Sequence, residues 1–122
     1  MIKLVFCLRR REGMTREEFQ DYWLNTHGPL VRGHAHATGC RRYVQVHTTP
    51  TPLDDLISAS RGAPEPYDGV AELWWDSVES LVAAASTPEG QAAARELLED
   101  ERTFIDHGRS PVWLAVEHQL IG

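Results

Sequence analysis

Hydrophobic residues recur with the period of an α-helix between Thr15 and Gly28. The residues at positions i, i+3, i+4, i+7 and i+8 are Phe19, Tyr22, Trp23, Thr26 and His27. This spacing places them on one face of a helix, and that face must lie against the core. Thr15 and Glu18 have the spacing of a capping box at the start, whereas Gly28 and Pro29 predict the end. We therefore expect one helix whose last turn directs His27 inward.

Four other segments have the composition of β-strands. Their approximate ranges are 2–9, 41–48, 69–75 and 112–120. Two more helices are predicted between the last two strands. One begins with a capping box over 76–79, and the other runs from Pro88 to about Phe104. The first of these is expected to bury Val78, Leu81, Val82 and Ala85. The order βαββαβ, with an extra helix before the last strand, predicts a ferredoxin-like α+β fold with a four-stranded antiparallel sheet.

The predicted strands carry apolar residues on both faces. In the first strand Leu4 and Phe6 point one way, whereas Val5 and Cys7 point the other way. Helices cover only one face of the sheet in this fold, so the second apolar face needs another cover. We expect that cover to be a second copy of the chain, which predicts a homodimer with two sheets packed face to face.

The length and the net charge of the chain limit the number of domains and the partners that we expect. A chain of 122 residues forms one domain, predicted to span residues 1–122. The formal net charge of −6 disfavours polyanions, so nucleic acid is not an expected partner. The apolar stretch 1–8 runs into three arginines and is too short to cross a bilayer. We therefore expect a cytoplasmic protein without membrane association.

Several motifs together resemble the EthD family of the dimeric α+β barrel superfamily. They are Lys3-Leu4-Val5-Phe6, Met14 to Phe19, Tyr22-Trp23, His27-Gly28-Pro29, Tyr67 to Trp74, and Phe104-Ile105-Asp106. The resemblance spans nearly the whole chain and implies a ferredoxin-like fold and dimerisation. Members are loosely described as oxidoreductases, and the wider superfamily includes cofactor-free monooxygenases, cyclases, isomerases, decarboxylases and haem-degrading enzymes. Such a resemblance does not choose among these reactions.

His27 is the leading candidate for chemistry. A helix carboxyl terminus favours the imidazolium form, whereas burial against Tyr22 and Trp23 favours the neutral ring. A group balanced in this way is suited to general acid or base catalysis. The alternative is a structural role, in which His27 caps the helix by donating to a carbonyl or to a neighbouring acid.

Two carboxylates are candidate partners for the imidazole. Glu72 shares a strand face with Val70 and Trp74, so it must be paired, solvated by a pocket or protonated more readily than usual. Asp106 follows Phe104 and Ile105 and matches a position of the EthD motif. Its alternative role is that of a turn residue.

Aromatic side chains are candidates for holding a flat or apolar molecule. The predicted binding residues are Tyr22, Trp23, Trp74 and Phe104. Large rings also fill cores and dimer interfaces, and this alternative stays open. Trp74 and Trp75 point to opposite faces of their strand, so only one of them lines a given cavity.

No cofactor or metal is predicted. His34-Ala35-His36 offers two imidazoles, but no convergent acid or cysteine spacing accompanies them, so polar loop histidines are the preferred interpretation. Haem binding has only the superfamily analogy behind it, without a local feature. The chain also lacks a dinucleotide fingerprint and a phosphate-binding glycine loop.

The connection 49–67 is long and contains four prolines. Leu53, Leu56 and Ile57 have helical spacing behind Thr51 and Pro52, which predicts a short amphipathic helix. This helix is expected to serve either as a lid over a pocket or as an arm in dimer packing.

Together these features predict a small-molecule enzyme in which His27 transfers a proton on a small apolar or aromatic carbonyl compound. Oxygenation without a cofactor, cyclisation, dehydration and decarboxylation share this step, and the sequence does not separate them. The alternative is a non-catalytic ligand-binding protein that assists a catabolic oxidation system.

Overall fold

A computed structural model describes residues 1–122. Strands β1 (Ile2–Leu8), β2 (Arg42–His47), β3 (Gly69–Trp75) and β4 (Val112–Ala115) form one antiparallel sheet in the order β2-β3-β1-β4. The helices are α1 (Arg16–Tyr22), α2 (Gly28–Gly33), α3 (Ala35–Thr38), α4 (Pro52–Arg61), α5 (Val78–Ala85) and α6 (Pro88–Glu101). A 3₁₀ turn spans His107–Arg109. The predicted ferredoxin-like α+β fold is confirmed.

The first helical segment differs from its predicted end. The capping box of Thr15 and Glu18 is present, but Gly28 and Pro29 do not stop the chain. A π-helical turn, Trp23–His27, continues directly from α1, and Gly28 adopts right-handed helical angles that lead into α2. Proline is tolerated here because the first turn of a new α-helix leaves its amides unbonded. Thr26, predicted to face the core, is exposed.

The last strand is shorter than predicted. It pairs only with β1, where Val112 lies opposite Phe6 and Ala115 lies opposite Lys3. No residue after Ala115 is paired with β1, so the strand predicted over 112–120 ends at Ala115.

Helix α5 also differs in detail from its prediction. Its amino-terminal cap is Ser77 with Ser80, not the pair at 76 and 79. Val78 and Val82 are exposed, whereas Leu81 is half-buried. Helix α5 is apolar on several sides, so periodicity alone could not select the face that packs inward.

The core lies between the sheet and the helices. Its buried members are Leu8, Phe19, Trp23, Ala71, Phe104 and Ile105. Gly69 on β3 lets the Trp23 ring approach the sheet, because a Cβ at this position would lie 2.4 Å from Trp23 Cζ3. The indole therefore packs against β3 at the first residue of the π-helical turn that carries His27.

The opposite face of the sheet has no cover within the protomer. Register places Val5, Val44, Glu72 and Trp113 side by side on this face, which we call the outer face. Val46 and Trp113 are largely exposed. The sheet is thus apolar on both sides, as the strand pattern predicted.

The connection 49–67 contains the predicted helix, α4. Thr51 and Asp54 form a capping box at its start, and Gly62 ends it with φ of 57°. Leu53, Leu56 and Ile57 are 61%, 70% and 53% exposed, so the apolar face of α4 packs against nothing in the protomer. None of the helices combines the length and the apolarity that crossing a bilayer requires.

Candidate active site

His27 is buried and paired with a carboxylate on another helix. Only 5% of the residue is exposed, and its Nδ1 lies 2.7 Å from Oδ2 of Asp100 in the last turn of α6. A carboxylate only accepts hydrogen bonds, so Nδ1 carries the proton and donates it. In the neutral ring, Nε2 then bears a free lone pair.

Asp100 also receives a hydrogen bond from Tyr22. The Tyr22 hydroxyl donates to Oδ1 at 2.5 Å, while His27 occupies Oδ2. The hydrogen bond to Asp100 raises the pKa of Tyr22, because it is made by the protonated phenol. Both oxygens of Asp100 are thus occupied by side chains from the helical segment 16–27. The three residues form a Tyr22–Asp100–His27 triad.

The free nitrogen of His27 is open to a cavity. Nε2 makes no hydrogen bond within the chain. Every fully buried side-chain nitrogen or oxygen has a hydrogen-bond partner, so Nε2 is not fully buried. His27 lines a cavity of about 70 Å³, together with apolar side chains and the polar residues Tyr43 and Glu101. Nε2 is therefore the polar atom of the triad that remains available to a small molecule.

A larger cavity of about 240 Å³ adjoins the first. The two share the lining residues Val31, Leu73, Leu97 and Glu101. Seven of the ten residues around the larger cavity are hydrophobic, and these seven come from α2, α5, α6 and β3. A small apolar or aromatic molecule fits the chemistry of this lining.

The π-helical turn holds His27 in this position. The Gly28 amide donates to the Trp23 carbonyl, which also accepts from Gln45 Nε2 at 2.8 Å. Gln45 Nε2 additionally donates to the Tyr43 hydroxyl at 2.7 Å, and burial raises the pKa of Tyr43. Single π-helical turns within helices occur frequently at functional sites. The turn therefore joins the histidine to the polar groups of β2.

The aromatic residues predicted for binding take different positions. Trp23 lines the smaller cavity, and Tyr22 contacts Asp100. Phe104 packs against His27 with a ring-centroid distance of 5.0 Å and belongs to the core. Of these three side chains, Phe104 contacts the His27 ring directly.

The structure does not bring Glu72, Trp74 or Asp106 to His27. Glu72 and Trp74 lie on the outer face, where Lys3 pairs with Glu72 and stacks over the Trp74 ring. The indole nitrogen of Trp74 donates to Glu117. Asp106 precedes the 3₁₀ turn and lines an open polar cleft with Arg11.

Sequence reasoning missed Asp100 and Glu101. They lie in the acidic carboxyl-terminal stretch of α6, which resembles a solvated helix surface. A signal was nevertheless present, because Ala93, Leu97, Asp100, Glu101 and Phe104 follow a helical stripe at i, i+4, i+7, i+8 and i+11. Two carboxylates within such a stripe indicate paired acids at the core boundary.

The histidines of the 34–36 motif do not converge on a common point. His34 Nε2 lies 2.9 Å from Glu96, whereas His36 is exposed. No group of three or more histidine, cysteine, aspartate or glutamate side chains has the arrangement of a metal site.

Asp68 forms a second buried charge cluster, which is structural. It is 2% exposed and accepts hydrogen bonds from the Arg10 backbone and from the guanidinium groups of Arg10 and Arg16. Burial by itself would raise the pKa of Asp68, but these donors hold it below its usual range. The cluster fastens the end of β1 to α1 and to the start of β3.

Comparison with known sequences gives one family and two named relatives. The EthD domain matches residues 11–108. A dehydratase of Ustilaginoidea virens is 27% identical over 108 residues, covering 86% of this chain and 75% of that protein. A decarboxylase of Claviceps purpurea is 24% identical over 110 residues, covering 88% of this chain and 76% of that protein.

Solved structures share the architecture. An EthD family protein of Bacillus halodurans has a TM-score of 0.64 at 23% identity, covering 97% of this chain and 99% of that one. A dimeric ferredoxin-like protein of Bacteroides fragilis has a TM-score of 0.58 at 11% identity, covering 93% of each chain. SnoaB, a cofactor-independent oxygenase of Streptomyces nogalater, has a TM-score of 0.56 at 15% identity, covering 98% and 95%. At these identities the likeness shows the fold alone.

Proposed function

The chain belongs to the EthD family, and from this premise we propose that it is a small-molecule enzyme in which His27 transfers a proton. The observation that carries the proposal is the asymmetry of the imidazole. Nδ1 is fixed by Asp100, while Nε2 is unpaired beside an apolar cavity. A structural role would also be served by the contact with Asp100, so the feature that favours catalysis is the cavity beside the unpaired nitrogen.

The triad provides a general base. Donation from Nδ1 to Asp100 holds the ring in the tautomer that has its lone pair on Nε2. When Nε2 accepts a proton, the carboxylate stabilises the resulting imidazolium. Tyr22 positions the other oxygen of Asp100 and acts through the carboxylate, not on the substrate.

The substrate we propose is a small apolar or aromatic carbonyl compound with an acidic C–H bond. Apolar lining favours such a molecule, and proton abstraction beside a carbonyl gives an enolate. Dehydration, decarboxylation, cyclisation and cofactor-free oxygenation can all proceed through this intermediate. The dehydratase and decarboxylase names of the two relatives support the first two classes.

A small β-hydroxy ketone, 4-hydroxy-4-phenylbutan-2-one, tests the proposal. In D₂O the wild-type protein is expected to exchange the protons α to the carbonyl, followed by proton NMR. His27→Gln should reduce the exchange rate about 100-fold or more. His36→Gln is the matched control, because His36 is an exposed histidine that lines neither cavity. No exchange by the wild type would overturn the proposal.

The alternative function is a non-catalytic binding protein that accompanies an oxidation system. The adjoining apolar cavities favour it as a second candidate, since ligand retention needs only burial. Binding of the same ketone without α-proton exchange, measured by calorimetry, would support this function over catalysis.

We further propose that the protein acts as a homodimer of single-domain chains joined through the outer face. The exposed apolar residues of this face, Val46 and Trp113 among them, need a cover, and the Bacteroides fragilis protein of the same fold is described as dimeric. Helix α4 then serves either as an arm on the partner or as a lid. Analytical ultracentrifugation is expected to give a dimer, and Trp113→Lys to weaken it. A monomeric wild type at micromolar concentration would refute this.

A further inference from the structure

We propose that Glu101 is a second catalytic group, which protonates the departing hydroxyl in a dehydration of a β-hydroxy carbonyl compound. This inference rests on the proposed function of His27 and adds a reaction class to it. The observation behind it is the position of Glu101, which lines both the cavity beside His27 and the larger cavity that adjoins it.

Glu101 has one oxygen available to a ligand. Its Oε1 lies 3.0 Å from Nε2 of His107, and Oε2 makes no hydrogen bond within the chain. The side chain is 21% exposed, so the carboxyl group is held at the cavity wall without being sealed. The His107 ring is itself held by stacking on Phe6, at a centroid distance of 6.2 Å.

Asp100 and Glu101 are adjacent in the chain, but their carboxylates have different partners. Asp100 turns to His27 and Tyr22, whereas Glu101 turns to His107 and the cavity. Two histidine–carboxylate pairs therefore meet at the carboxyl end of α6. One leaves an imidazole nitrogen free, and the other leaves a carboxylate oxygen free.

Elimination of water needs both kinds of group. His27 Nε2 removes the proton α to the carbonyl, and the electron pair of that C–H bond forms the new carbon–carbon double bond. The C–O bond to the hydroxyl group breaks, and its oxygen leaves with the proton carried by Oε2 of the protonated Glu101 carboxyl group, while Oε1 remains beside His107 Nε2. The products are an unsaturated carbonyl compound and water. Transfer of the proton from His27 back to Glu101 through solvent restores the starting state.

Tyr43 is the other titratable group in the smaller cavity, and it is less suited to this role. Its hydroxyl already accepts a hydrogen bond from Gln45. Burial raises the pKa of Tyr43, so the phenol is a weak proton donor.

The experiment uses 4-hydroxy-4-phenylbutan-2-one with the full chain and follows two signals. Exchange of the α-protons in D₂O reports the base, and ultraviolet absorbance of 4-phenylbut-3-en-2-one reports loss of water. In Glu101→Gln, exchange should stay within about twofold of wild type, while enone formation should fall about 100-fold. Glutamine keeps an oxygen that can accept from His107. Glu96→Gln, an exposed position on the same helix, is the control and should change neither signal.

The outcomes separate the two proposals. Exchange without enone formation in the wild type, or unchanged enone formation in Glu101→Gln, would overturn the role of Glu101 and leave His27 as the base. Loss of both signals in a Glu101→Gln variant that keeps its circular dichroism spectrum would also overturn the role of Glu101 as the acid. Glu101 would then act through His27. A wild type that shows neither signal would overturn the proposed function itself.

Discussion

Replacing Asp100 with asparagine tests the central contact of the site. The variant keeps the shape of the side chain but removes the negative charge that faces His27 Nδ1 at 2.7 Å. The amide can accept from only one of its two positions, whereas the carboxylate accepts from both His27 and Tyr22. The change therefore weakens the orientation of the imidazole and the stabilisation of its protonated form.

The expected loss follows from the strength of a charged hydrogen bond. Such a bond contributes about 1.5–3 kcal/mol. At about 1.4 kcal/mol for each tenfold change in rate, its removal lowers the rate about 10- to 150-fold. We expect Asp100→Asn to reduce α-proton exchange of 4-hydroxy-4-phenylbutan-2-one by this factor, as measured by proton NMR in D₂O.

Glu99→Gln provides the matched control, because Glu99 is the exposed neighbour of Asp100 on α6. It should exchange protons at the wild-type rate. If a folded Asp100→Asn variant also did so, the carboxylate would not be orienting a catalytic base. A lowered melting temperature with full activity would identify His27 as a structural cap.

Three other predictions concern the surroundings of the site. Tyr22→Phe removes one hydrogen bond to Asp100 and should lower the free energy of unfolding by about 1 kcal/mol in urea titrations, with a smaller rate loss than Asp100→Asn. The pKa of Asp68 is lowered in the folded state, so its contribution to stability should be complete above its unfolded pKa of about 3.9 and should disappear as the pH falls through the folded value. Urea titrations across this pH range should show the free energy of unfolding of the wild type falling with acid. Asp68→Asn should remove this fall and lower the free energy of unfolding by about 3 kcal/mol at neutral pH. If the variant lost stability in acid as the wild type does, Asp68 would not be its source. Gly69→Ala places a methyl group 2.4 Å from the Trp23 ring and should destabilise the protein by about 1–3 kcal/mol in thermal unfolding; wild-type stability would show that the indole moves freely.

The fold was predictable because its signals are local. Caps at Thr15 and Thr51, alternation along β1 and β3, and prolines at first helical turns all act over a few residues. The prediction failed where local rules compete. Gly28 and Pro29 usually end a helix. Here they follow the π-helical turn Trp23–His27 and form the first turn of α2, so the helical path continues.

The candidate site was only half predictable. Helical periodicity placed His27 inward, and the EthD motif pointed to the same residue. Glu72 was chosen for its apolar neighbours, but those neighbours belong to the outer face, where Lys3 pairs with it. Alternation assigns residues to two faces of a strand without saying which face the helices cover.

The α+β class, the order of strands along the chain and the inward direction of His27 could be read from local patterns, because periodicity and capping depend on nearby residues. Which acid contacts that histidine depends instead on long-range packing. Asp100 is 73 residues away, and its contact depends on how α6 packs against the π-helical turn. Packing between distant elements is set by the summed burial of many side chains, so the pairing of His27 with Asp100, and the cavity on its other side, emerge only once the chain is folded.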